Sequence, residues 1–126
     1  MADLSFHKQE RISGRKLISA VFHQGKSLSS FPFRVICLQT SQQANVPVRI
    51  AISVPYRNFR KASDRNRIKR LFREAYRKNK EGLYQHLFSN GKTYAILFIY
   101  TGKAVPSYKE LEQKIILTLQ RLQGEL

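Results

Sequence analysis

The stretch DRNRIKRLFREAYRKNK, residues 64–80, constrains this chain more than any other. Ile68, Leu71, Phe72 and Ala75 recur at three- and four-residue steps, the spacing that gathers side chains on one face of an α-helix. Most residues between them are charged. A helix patterned this way buries one narrow stripe and leaves the rest in water, so it must lie on the surface of something flat and apolar. The flat partner is legible too. VRIAISV (48–54) sends Val48, Ile50, Ile52 and Val54 one way and Arg49, Ala51 and Ser53 the other, the period of a strand. FRVICLQT (33–40) has apolar residues on both faces, and TYAILFIY (93–100) reads as a buried strand.

The remaining segments fill in an order. Residues 1–12 are polar and expected to be loosely held. A short helix follows, with Ser13 as its N-cap, Leu17, Ile18, Val21 and Phe22 as its stripe and Gly25 at its end. SLSSFP reads as a loop, and SQQANVP suits an antiparallel hairpin between the first two strands. Pro55 ends the second of these. YRNFRKAS is a basic loop with room for a short extra strand, and Ser63 or Asp64 can cap the long helix, which runs to about Asn79. EGLYQHLF is a turn or a short helix. In SYKELEQKIILTLQRLQ (107–123), Leu111, Ile115, Leu119 and Leu122 mark a final helix. No repeat, linker or low-complexity tract interrupts the chain. The predicted fold is one domain over 1–126, a compact two-layer α+β sandwich in the order α-β-β-(β)-α-β-α, with a mostly antiparallel sheet.

Catalytic chemistry is hard to find. His7, His23 and His86 lie far apart and form no metal-ligand spacing with Cys37. There is no phosphate-binding glycine loop and no nucleophile elbow, and the eight acids form no close pair for metal-assisted phosphodiester cleavage. We therefore expect no catalytic residue, no metal site and no cofactor held by side chains alone. Cys37 has no second cysteine to pair with and reads as a buried thiol, in keeping with a reducing compartment. The N-terminus lacks a signal-type apolar core, and YAILFIY is far shorter than the roughly 20 residues a membrane helix needs, so a cytoplasmic location without membrane contact is expected.

Charge says more. The net charge is +15, a balance that costs stability through self-repulsion and suits a polyanionic partner. From Val54 to Lys80 there are eleven Lys or Arg against only Asp64 and Glu74. Arg65, Lys69, Arg73 and Arg77 follow one edge of the long helix, and Arg67 and Arg70 widen that edge around the side opposite the apolar stripe. Arg57, Arg60 and Lys61 in the preceding loop join them. Like charges at this spacing weaken an isolated helix, and cations in a first turn oppose its dipole. Both penalties make sense if phosphates arrive, where guanidinium forks and free N–H groups act on one anion. Asn66 can hydrogen-bond a phosphate, a 2′-hydroxyl or a base edge. Phe22 and Phe33 are either core or aromatic surface for unpaired bases, and Tyr56 and Phe59 either stack or anchor the loop.

These residues carry a resemblance. RNRIKRLFREAY (65–76), preceded by IAISVPYRNFRKASD (50–64), resembles the signature region of the bacterial ribonuclease P protein subunit, and KLISAVFHQGKSLSSFPFRV (16–35) continues the likeness more loosely. The resemblance implies a left-handed βαβ crossover, against the usual handedness. It implies assembly, as a monomer per RNA, with a catalytic RNA subunit that removes the 5′ leader of precursor tRNA with Mg²⁺, the protein supplying no catalytic residue. By position, Arg60, Lys61, Arg65, Asn66, Arg67, Lys69, Arg70 and Arg73 carry over to the RNA-subunit contact, and Phe22 and Phe33 to a leader cleft in which Ile18 replaces an aromatic. The loop departs from the family pattern, being one residue longer, without its glycine, and with Ser63 where valine is frequent. The alternative is a non-catalytic RNA-binding protein of ribosomal type. A DNA-binding reading is weaker, because strands rather than a helix-turn-helix partner precede the long helix.

Overall fold

A computed structural model describes residues 6–41 and 46–126. In chain order a 3-10 turn (Lys8–Glu10) leads into α1 (Arg15–Gln24), β1 (Lys26–Ser30), β2 (Phe33–Thr40), β3 (Val48–Ser53), α2 (Ala62–Asn79), α3 (Glu81–Asn90), β4 (Thr93–Tyr100) and α4 (Tyr108–Glu125). The strands form one sheet in the order β1-β2-β4-β3. β1 and β4 pair antiparallel with β2, and β3 pairs parallel with β4.

This order corrects the expected hairpin between β2 and β3. β4 lies between them, in register Val35↔Phe98 on one side and Ile52↔Phe98 on the other. The physical reason is that β4 is apolar on both faces and gains most from a central place, whereas alternating β3 tolerates an edge. Part of the connecting segment, 42–45, lies outside the described residues. SLSSFP is no loop either: Lys26–Ser30 pairs with β2 from Lys26↔Cys37 to Ser30↔Phe33. An edge strand with a single apolar residue, Leu28, carries no periodicity to read. The basic loop holds turns and no extra strand.

Side-chain parity splits the core. Phe33, Val35, Cys37, Val48, Ile50, Ile96 and Phe98 face α2, α3 and α4. There α2 contributes Ile68, Phe72, Ala75 and Tyr76, α3 contributes Leu83 and Leu87, and α4 contributes the stripe Leu111, Ile115, Leu119 and Leu122. Phe72 sits 4.9 Å from Phe98 and 5.6 Å from Phe33, ring centre to ring centre. Each such fully buried side chain is worth about 1.5–3 kcal/mol in transfer free energy. Ile36, Ala95 and Leu97 face the other way and pack against Val21 of α1 and Ile12. The α+β class holds, but among the described residues helices cover both faces, three on one and α1 on the other, a partial third layer beyond the expected two.

Helix ends differ in detail from expectation. Gly14, with φ 89°, rather than Ser13 precedes α1, and Lys61 rather than Ser63 or Asp64 precedes α2; neither end has a side-chain cap. α4 opens on a capping box between Ser107 and Glu110. Gly91 closes α3 at φ 65°, a conformation that favours glycine. Gly25 has ordinary φ −74° and is needed for space instead: a Cβ there would lie 2.4 Å from the Val21 carbonyl oxygen and 2.6 Å from Ile36 Cγ2.

The N-terminal segment contacts the sheet through Arg11 and Ile12, and residues 1–5 lie outside the described residues. Arg11 bridges to Ile50 in parallel, and the Ile12 N–H donates to the Ile50 carbonyl at 2.8 Å, covering the free edge of β3. Glu10 is 1% exposed and pairs with the equally buried Lys80 at the α2–α3 junction. Tyr84 Oη and the His7 N–H also donate to its carboxylate, at 2.6 and 2.7 Å. No helix among the described residues is long and apolar enough to cross a membrane.

Candidate nucleic-acid interface

α2 presents the cations because its stripe is consumed by the core. With Ile68, Phe72, Ala75 and Tyr76 buried, a 3.6-residue turn sends Asn66, Arg67, Arg70 and Arg73 outward, and all four are exposed. Lys69 is half-buried at the margin. The helix starts at Ala62, so Asp64 and not an arginine is its first-turn charge, and Arg65 and Arg67 lie further in than the sequence suggested. The cations nearest the helix start are Arg60 and Lys61, both exposed, and Arg57 is exposed in the same loop.

Arg65 holds that loop. Its Nη1 donates to the carbonyls of Phe59 and Arg60 at 2.7 and 3.0 Å, and its guanidinium lies 5.2 Å from the Tyr56 ring centre. Phe59 is buried beside Tyr100, so it anchors the loop, while Tyr56 stays exposed. Arg77 is engaged by Glu74 through two hydrogen bonds of 3.1 and 2.6 Å. Those bonds hold the Glu74 carboxyl below its usual value. The outward ridge is therefore Arg67, Arg70 and Arg73 with Asn66, flanked by a loop whose backbone is tied down.

One cation of this surface escaped sequence reading. Phe6, Arg11, Arg70, Arg73, Arg77 and Tyr108 line a groove of about 490 Å³ between the N-terminal segment and α2. Arg11 is exposed and its Cζ lies 5.1 Å from the Phe6 ring centre. Partial burial, and after it the Arg11 charge, lower the Arg73 pKa. An isolated arginine in a polar N-terminal stretch gave no signal; the bridge to Ile50 and the burial of Glu10 against Lys80 bring it to α2.

On the other face of the sheet, α1 leaves a cleft of about 480 Å³ over β3 and β4. Ile18 and Phe22 form one wall, 37% and 51% exposed, with His23 edge-on to Phe22 at 5.4 Å. Ala51, Ser53 and Ile99 form the floor, and Arg15 also lines it. The floor was hidden in the outward parity of VRIAISV: small residues there leave α1 room to stand off the sheet. Phe33 does not belong to this cleft. It is 1% exposed on the opposite face, against Phe72, Phe98 and Tyr100, because its place in β2 has the parity of Val35 and Cys37. Among the described residues, no three His, Cys, Asp or Glu side chains cluster as a metal site would require.

The family model Ribonuclease P matches residues 6–123. The ribonuclease P protein component of Porphyromonas gingivalis is 33% identical over 126 residues, covering 99% of this chain and 91% of its own. That of Thermotoga maritima is 29% identical over 125 residues, covering 95% and 97%. The solved RNase P protein of Thermotoga maritima matches with a TM-score of 0.69 at 27% identity, covering 89% of this chain and 96% of its own. The Staphylococcus aureus RNase P protein, at 19% identity and TM-score 0.72 over 90% and 94%, shares the fold.

Proposed function

We propose that this chain, which belongs to the ribonuclease P protein family, binds its RNA subunit through the outer face of α2 and the 56–63 loop and holds the precursor-tRNA leader in the α1 cleft. Membership makes it a component of a ribonuclease and implies an RNA subunit and tRNA processing. The observation that carries the finer reading is the ridge of Asn66, Arg67, Arg70 and Arg73, exposed beside the exposed loop cations Arg57, Arg60 and Lys61. Arginine forks suit phosphate oxygens, and the fixed loop spares part of the ordering entropy on binding.

The cleft suits a single strand. Phe22 offers an exposed ring on which a base can stack, Ile18 lends apolar contact, and Arg15 stands beside them for a phosphate. In this reading the RNA performs the cleavage with Mg²⁺ held by its own phosphates. The protein acts by binding and positioning, as a monomer on each RNA.

The test is the affinity of the assembled ribonucleoprotein for precursor tRNA with and without its leader. The leader should tighten binding, and Phe22→Ala should remove about 1 kcal/mol or more of that gain while sparing leaderless tRNA. A leader effect that Phe22→Ala leaves intact would contradict the cleft assignment.

A further inference from the structure

We propose that the groove between the N-terminal segment and α2 is a subsite for one phosphodiester of the bound RNA, gripped jointly by Arg11 and Arg73. This rests on the RNA-binding reading above and adds a residue from outside α2 and its loop.

The two cations come from pieces of chain folded for other reasons. Arg73 stands on the exposed side of α2, whose opposite side is core. Arg11 is delivered by its bridge to Ile50 and by the buried carboxylate of Glu10 beside it. Phe6 backs the Arg11 guanidinium and is itself braced edge-on against Tyr76, 5.7 Å away. The groove's carboxylate, Glu74, is held by Arg77 and approached by Lys78 at 3.8 Å. Among the described residues neither Arg70 nor Arg73 has a carboxylate partner. Like charges held together without a counter-ion are costly, and a tetrahedral anion accepting N–H bonds from two planar forks relieves that cost. The anion belongs to RNA backbone because Arg70 is shared by the groove and the exposed ridge, so a strand lying over Arg67 reaches the groove without a break.

The test compares binding of a bacterial ribonuclease P RNA across a salt series for the full chain, Arg11→Gln, Arg73→Gln, the double variant and Arg67→Gln. Each neutralised phosphate contributes roughly 0.7–0.9 to the log–log slope. The double groove variant should lose one such step and no more, and each single variant up to that step, because both cations hold the same phosphate. Arg67→Gln should add its own step to either. Thermal melts accompany the series, and Arg73→Gln, whose helix packs by its other side, carries the test if Arg11→Gln unfolds. Unchanged slopes in the groove variants while Arg67→Gln loses a step would overturn the subsite and leave the RNA-binding reading standing. Two separate steps lost in the double would overturn the shared grip. Binding of the unaltered chain that ignores salt would overturn both readings.

Discussion

Arg65 and Arg67 stand two residues apart in one motif and do different work. Arg65 spends its fork on the carbonyls of Phe59 and Arg60, whereas Arg67 points into water. Hydrogen bonds from a charged donor are worth about 1.5–3 kcal/mol when sheltered, and less at a half-exposed site. Arg65→Ala should therefore cost about 1–2 kcal/mol in denaturant melts, and Arg67→Ala should stay within about 0.5 kcal/mol of the parent. RNA affinity should fall in both, in Arg67→Ala without loss of stability. Equal melts for the two would contradict the division. Phe22 and Phe33 make a similar pair. Nothing in their immediate sequence separates an exposed ring from a buried one. The separation comes from register, which sets Phe33 against Phe72; Phe33→Ala should cost about 3–5 kcal/mol by chemical denaturation. A loss below about 1 kcal/mol would mean the ring is not packed as described.

At the scale of elements, legibility followed periodicity. α2, α4 and β3 each carry a repeating pattern strong enough to name type and buried face, and β4 carries an apolar run that names its type alone. β1 carries none, and the insertion of β4 between β2 and β3 is a tertiary choice that no single segment encodes. The cation ridge was legible because it is contiguous on α2. Arg11 was not, because its position depends on contacts remote in sequence. Chief among them is the ion pair of Glu10 with Lys80, which ties the N-terminal segment to the α2–α3 junction. Burial alone would raise the Glu10 carboxyl, but hydrogen bonds from Lys80, Tyr84 and the His7 N–H outweigh it and hold the pKa below the ordinary 4.5. A carboxyl depressed on folding stabilises above its unfolded value, and that contribution is lost as pH falls through the folded one. Stability should thus decline below about pH 4.5. Glu10→Gln should remove that decline, and should cost about 3–5 kcal/mol near neutrality by taking the carboxylate away from the buried Lys80 ammonium. Melts across pH 3–8 check both; parallel curves for parent and variant would contradict the pairing.

At the scale of the whole molecule, the sheet does two things at once. One face buries three helices and so turns the cations of α2 outward; the other, among the described residues, carries α1 and Ile12 and leaves an open cleft beside them. A net charge of +15 on 126 residues opposes compactness, and the fold sustains it through a core that α2 joins by one stripe alone. Such a molecule fits a component completed by a polyanion. The most direct measurement is cleavage of a precursor tRNA at low Mg²⁺ by a bacterial ribonuclease P RNA, with this protein, without it, and by the protein alone. The expected result is efficient 5′ leader removal only when RNA and protein are both present. Cleavage by the protein alone, or an RNA reaction that the protein does not stimulate, would contradict the account.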